Sequence, residues 1–141
     1  MMSAFVMMSL SSCEEVDVTV EYLDVTSANL KGHWELVSIN GNPLADGSFF
    51  YISFEKDEFR IRENLTSIPN GFSEDEGTYS IYTDEDLGAS CIRGINSVQK
   101  EWNDRYVVKD LTSESMTWVG VANPSSVQTF MRIPALPILA D

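Results

Sequence analysis

Few side chains in this sequence can do covalent or metal chemistry. There is one histidine, His33, and there are two cysteines, Cys13 and Cys91. A single imidazole excludes a two-histidine metal site. Cys91 and His33 could in principle act as nucleophile and base, but nothing in the sequence brings them together or activates the thiol. His33 is expected to point outward beside Trp34. Cys91, in Ala89-Ser90-Cys91-Ile92, is expected to be a small buried thiol. The acidic triplets Glu74-Asp75-Glu76 and Asp84-Glu85-Asp86 invite a calcium reading. They flank a predicted strand over residues 77–83, which at ~3.3 Å per residue sets them about 23 Å apart, too far to share an ion. Solvated loop ends are the expectation for both. Carboxylate pairs for glycoside hydrolysis can be drawn anywhere in so acidic a chain, so none is informative. Gly-rich phosphate loops and Cys-x-x-Cys patterns are absent. These residues imply no catalytic group, metal or cofactor, and a protein that is not an enzyme.

Cys13 has a different chemistry to offer. It closes the run Ala4-Phe5-Val6-Met7-Met8-Ser9-Leu10-Ser11-Ser12, residues 1–12 carry no charge, and Glu14, Glu15 and Asp17 follow at once. The segment Leu10-Ser11-Ser12-Cys13 looks like the lipobox of a bacterial lipoprotein signal. Residues 1–12 would be removed and Cys13 lipidated as the new N-terminus. The basic start of such signals is missing. That leaves an upstream start codon, or an apolar strand or arm with an ordinary Cys13, as the alternatives. A membrane-spanning helix needs ~20 apolar residues, which this run does not supply.

The rest of the chain suits one domain with one core. Its net charge of −13, from 22 acids and 9 bases, repels phosphate backbones and argues against nucleic acid as a partner. Aromatic residues make up 11%, which argues for a core and against wholesale disorder. With Cys13 lipidated, Cys91 has no intrachain partner, so no disulfide framework is expected.

Residues 13–29 read as the lipidated cysteine and an acidic tether, mostly extended, that pairs locally with a sheet edge. From Gly32 on, apolar and polar residues alternate through short segments with no amphipathic helix. Strands are expected over 33–39, 49–55, 58–63, 77–83, 89–95, 105–111, 115–121 and 127–133. Phe50, Ile52 and Phe54 share one face, as do Tyr79 and Ile81, and Met116 and Trp118. Phe49, Tyr51 and Tyr82 fall on outer faces, where exposed rings could stack on glycans. Residues 96–104 read as a turn or one helical turn. Pro134 and Pro137 stop the last strand. Eight short strands on short loops suit an all-β antiparallel meander closed into a small barrel, which removes unpaired edges.

At the head of the first strand stands Asn29-Leu30-Lys31-Gly32-His33-Trp34. A Gly-x-Trp at this place in an eight-stranded meander resembles the lipocalin signature. With the lipobox, the acidic arm, the Asn40-Gly41 hairpin and the ending Phe130-Met131-Arg132, the chain resembles small lipocalin-like lipoproteins of Bacteroidetes. The resemblance spans residues 29–133, within a barrel domain of residues 30–141. It implies that Trp34, after Gly32, plugs the closed end and that Arg132 stacks over it. A second lipocalin motif is missing; Asn103-Asp104-Arg105-Tyr106 is a loose echo.

Eight strands enclose space for side chains or one small ligand. The expected function is a monomeric, lipid-anchored binding protein of the cell envelope, at the outer membrane. It would hold a small hydrophobic molecule in the barrel, with Phe50, Phe54, Tyr79 and Trp118 as candidate contacts, or dock an envelope partner. The alternative is an interaction or inhibitor module whose barrel is filled by these same rings.

Overall fold

The computed structural model describes residues 19–65 and 71–137. The lipobox and Cys13 lie outside these residues. Among the described residues nine strands form one antiparallel sheet: β1 Gly32–Ile39, β2 Asn42–Pro43, β3 Phe50–Glu55, β4 Glu58–Glu63, β5 Ser73–Asp84, β6 Ala89–Asn96, β7 Tyr106–Lys109, β8 Ser115–Gly120 and β9 Val127–Ile133. Each of β3 to β9 pairs with its neighbour in sequence, and β9 returns to β1. Eight strands thus close the expected barrel, and the two-residue β2 is an addition. Strand β2 folds back through Asn40-Gly41, whose φ angles of 53° and 82° suit the tight hairpin turns that need left-handed residues.

Alternation decides what faces inward. Trp34, Leu36, Ile52, Phe54, Phe59, Tyr79, Ile92, Val108, Met116, Trp118 and Phe130 form the buried core. In β1 the register shifts between Leu36 and Ser38. This bulge lets Ile39 face inward again and pack on the core, although it is an odd number of residues from Leu36. The Asn40 side chain then fixes the start of β9 by accepting the Val127 N–H at 2.7 Å.

Three segments depart from the sequence reading. The end of the acidic tether is part of the domain. Leu23 and Val25 pack on the core, and the Leu23 N–H donates to the Leu111 carbonyl at 2.7 Å. Ser27–Leu30 is one helical turn, α1, capped by Thr26, whose hydroxyl accepts the Asn29 N–H at 3.1 Å. Its purpose is visible in Leu30, wholly buried in the barrel floor.

Strand β5 begins at Ser73, so the triplet Glu74-Asp75-Glu76 is strand and not a loop end. Acidic residues disfavour strands, but β4 offers compensating charge. Arg62 pairs with Glu74 and Arg60 with Glu76 on the outer face, at 2.6 and 3.5 Å. Third, residues 96–104 contain the expected turn, at Ser97 and Val98, but continue beyond it into a returning segment. Asn96 and Trp102 N–H groups donate to the Lys100 and Gly94 carbonyls, which folds this loop back along β6.

Candidate functional site: a barrel sealed at one end and open at the other

The sealed end is built around Trp34. Its indole is fully buried, and its Nε1–H donates to the Leu30 carbonyl at 2.9 Å. Arg132 stands directly across the β1–β9 ladder and lays its guanidinium 4.2 Å from the indole centroid. The guanidinium also donates to three backbone carbonyls: Ser113 at 2.8 Å, Lys31 at 2.5 Å and Asn29 at 2.8 Å. These bonds tie β9 to the loop before β8 and to α1. Burial pushes the Arg132 pKa down from its ordinary value. Gly32 is required beside it: φ is +125°, and a Cβ there would lie 2.6 Å from the Arg132 Nη1. Gly32, Trp34 and Arg132 are thus brought together as one unit.

The interior above the seal is packed with rings. Phe54 meets Tyr79 at 4.8 Å and Trp118 at 6.4 Å, and Trp118 meets Phe130 at 4.6 Å. The Tyr79 hydroxyl donates to the Lys56 carbonyl at the β3–β4 turn. Burial, and then Asp57, push the Tyr79 pKa up. Phe54 and Tyr79 therefore belong to the ring-packed lower half of the barrel, where Phe54 also lines a second pocket of about 840 Å³ with Gly32, His33, Ser53 and Phe59.

At the opposite end a cavity of about 330 Å³ opens to solvent. That is the small end of the ~300–1,000 Å³ range for ligand pockets. Leu36, Ile39, Phe50, Ile52 and Ile61 form one wall; Trp102, Tyr106 and Trp118 form the other. Asp75, Asn96, Lys100, Glu101, Asn103 and Gln128 supply the polar groups. Of the four candidate contacts from sequence, Phe50 and Trp118 reach this cavity, while Phe54 and Tyr79 do not.

Trp102 was hidden from sequence reasoning. It comes from the 96–105 loop, yet its ring lies inside, 5.0 Å from Phe59 and 5.8 Å from Trp118. The seat is Gly94, at which a Cβ would overlap the indole. Strand β6 leaves a side-chain-sized notch on its inner face, and the loop fills it. The buried Trp102 Nε1–H has no hydrogen-bond partner among the described residues. The Asp104 carboxylate clamps the end of the loop by accepting the Arg105, Ala122 and Asn123 N–H groups at 2.7, 2.9 and 3.2 Å. Tyr106, beside the cavity, is pushed up in pKa by burial and then by Asp104.

The remaining reactive side chains sit on the outside. His33 shares a 2.7 Å hydrogen bond with Ser53 on the outer face. Cys91 is fully buried on the outer face of β6, facing Tyr82 and Val107 in the adjacent ladders. Strands β1 and β6 lie four positions apart either way round the barrel, so this histidine and thiol cannot meet. Burial raises the Cys91 pKa. The outer rings do not make a free stacking platform: Tyr51 is only 9% exposed, covered by Phe49 at 5.4 Å. Tyr82 carries the Arg105 guanidinium at 5.7 Å.

Strand number, closure and the sealed floor define the class of fold: a small antiparallel barrel of lipocalin-like type. Among solved structures, the chain is similar to a lipocalin-like protein from Bacteroides uniformis, with a TM-score of 0.54 and 20% identity. The match covers 74% of this chain and 99% of that one. At this identity the likeness speaks for the fold. No protein-family model matches the sequence, and no curated protein matches it significantly.

Proposed function

We propose that this protein is a lipid-anchored, monomeric binding protein of the cell envelope that holds a small hydrophobic molecule in the open end of its barrel. The observation that carries the reading is the aromatic-walled cavity of about 330 Å³ opposite the Trp34–Arg132 seal. Phe50, Trp102, Tyr106 and Trp118 would cover the ligand body, and burial of its apolar surface would supply the affinity. The lipobox-like segment ending at Cys13 supports the anchor, with the outer membrane as its address. The separation of His33 from Cys91 supports a role in binding without catalysis. The charge of −13 supports partners other than nucleic acid.

Two experiments test this. Native mass spectrometry of protein from its own membranes is expected to show a bound small molecule, lost when Ile61→Trp fills the cavity. An unliganded wild-type protein whose fluorescence ignores apolar probes would overturn the ligand reading. Cys13→Ala is expected to move the protein from the membrane to the soluble fraction; unchanged membrane association would overturn the anchor.

A further inference from the structure

One side chain on the inner wall of the barrel is out of keeping with its surroundings. Asp75 stands opposite Ile61 in the β4–β5 ladder. Directly paired residues project to the same face, and Ile61 packs on the core. Asp75 is therefore turned inward, half-buried, where it joins the wall of the cavity. Its neighbours Glu74 and Glu76 are turned outward onto Arg62 and Arg60.

Among the described residues no arginine or lysine forms an ion pair with this carboxylate. All five arginines are engaged elsewhere: Arg60 and Arg62 as above, Arg93 and Arg105 with Glu101, and Arg132 on Trp34. Lys100 lines the same cavity from the exposed loop but forms no ion pair with Asp75 among the described residues. Asp75 accepts the Glu76 N–H at 3.0 Å, which leaves most of its acceptor capacity unused. A charge beside an apolar wall is costly unless it is paired. Trp102, Tyr106 and Trp118 line the same cavity, and aromatic rings also attract cations.

We infer that the cavity is built for a cationic amphiphile, a compact apolar body carrying an ammonium group, with Asp75 as the counter-ion. The apolar body sits between Phe50 and Trp118, and the ammonium is held between the Asp75 carboxylate and the aromatic faces. The acidic surface raises the local concentration of such cations at the opening. This assignment rests on the ligand-holding reading of the same cavity and names the chemistry of its occupant.

The test uses three probes of matched length: phenylbutylamine, phenylbutanol and phenylbutyrate, titrated calorimetrically at low ionic strength. The amine is expected to bind about tenfold more tightly than the alcohol, as a charge-assisted hydrogen bond provides, and the acid most weakly. Asp75→Asn, the same shape without the charge, is expected to bring the amine to the affinity of the alcohol and leave the alcohol unchanged. An amine preference that survives Asp75→Asn, or is missing from the wild type while the alcohol binds, overturns the counter-ion role and leaves the cavity a binding site. If none of the three probes binds the wild type, both the inference and the ligand-holding reading fall.

Discussion

Arg132 and Trp34 face each other across the closing ladder of the barrel, with the guanidinium 4.2 Å above the indole. The pair does more than stack. Through its three carbonyl acceptors, Arg132 joins α1, the loop before β8 and the β1–β9 seam at one point. Arg132→Met is expected to lower the stability by about 2–4 kcal/mol, since three backbone acceptors lose a charged donor. Urea unfolding measures this. Arg132→Lys should recover little, because an ammonium cannot reproduce the planar fork.

Gly94 and Trp102 form a second matched pair, a missing side chain and the ring that replaces it. Gly94→Ala is expected to expel the indole and destabilise the fold by about 1–3 kcal/mol. A red shift in tryptophan emission, absent from the Gly94→Ala/Trp102→Phe double variant, would identify the displaced ring.

Asp104 holds three N–H groups that would otherwise lack this partner. Asp104→Ala is expected to cost about 1–3 kcal/mol. Hydrogen exchange should quicken at Ala122 and Asn123 ahead of the β1–β9 seam; uniform quickening would contradict a local clamp.

Alkaline pH should unfold the barrel through its buried phenols. Burial, helped by Asp57 and Asp104, raises the Tyr79 and Tyr106 pKa values above the ordinary 10.0. The unfolded chain loses these protons first as pH rises. Their contribution is therefore intact below about pH 10 and is lost between the unfolded and folded values. The denaturation midpoint is expected to fall over that window, and less steeply in Tyr106→Phe.

Cys91 should be inert in the folded protein, being fully buried with its pKa raised by burial. Iodoacetamide is expected to leave it unmodified near neutral pH and to alkylate it in urea. Rapid labelling of the native protein would contradict the buried placement.

The strands were legible because a half-buried sheet writes its geometry as a two-residue period, and Phe50-x-Ile52-x-Phe54 or Met116-x-Trp118 carry it openly. The grouping of Gly32, Trp34 and Arg132 was legible only through the resemblance to the lipocalin pattern, which is where a Gly-x-Trp and a late arginine acquire a meaning. Other features depend on long-range partners. Glu74-Asp75-Glu76 reads as a loop until Arg60 lies beside Glu76 and Arg62 beside Glu74, 16 and 12 residues away in sequence. Trp102 reads as a loop residue because its seat is an absence, the missing side chain of Gly94. Leu23 and Val25 read as tether because two apolar residues in an acidic stretch do not mark an element that packs on the core.

The chain enters the barrel wall at Gly32 and leaves it at Ile133, side by side in the β1–β9 seam at the sealed end. The cavity lies at the other pole. On the proposed anchoring at Cys13, the barrel would stand on its sealed floor with its opening turned from the bilayer. Cargo would then be exchanged with the aqueous space in front of the membrane, as from a cup on a stalk, rather than drawn sideways out of the lipid.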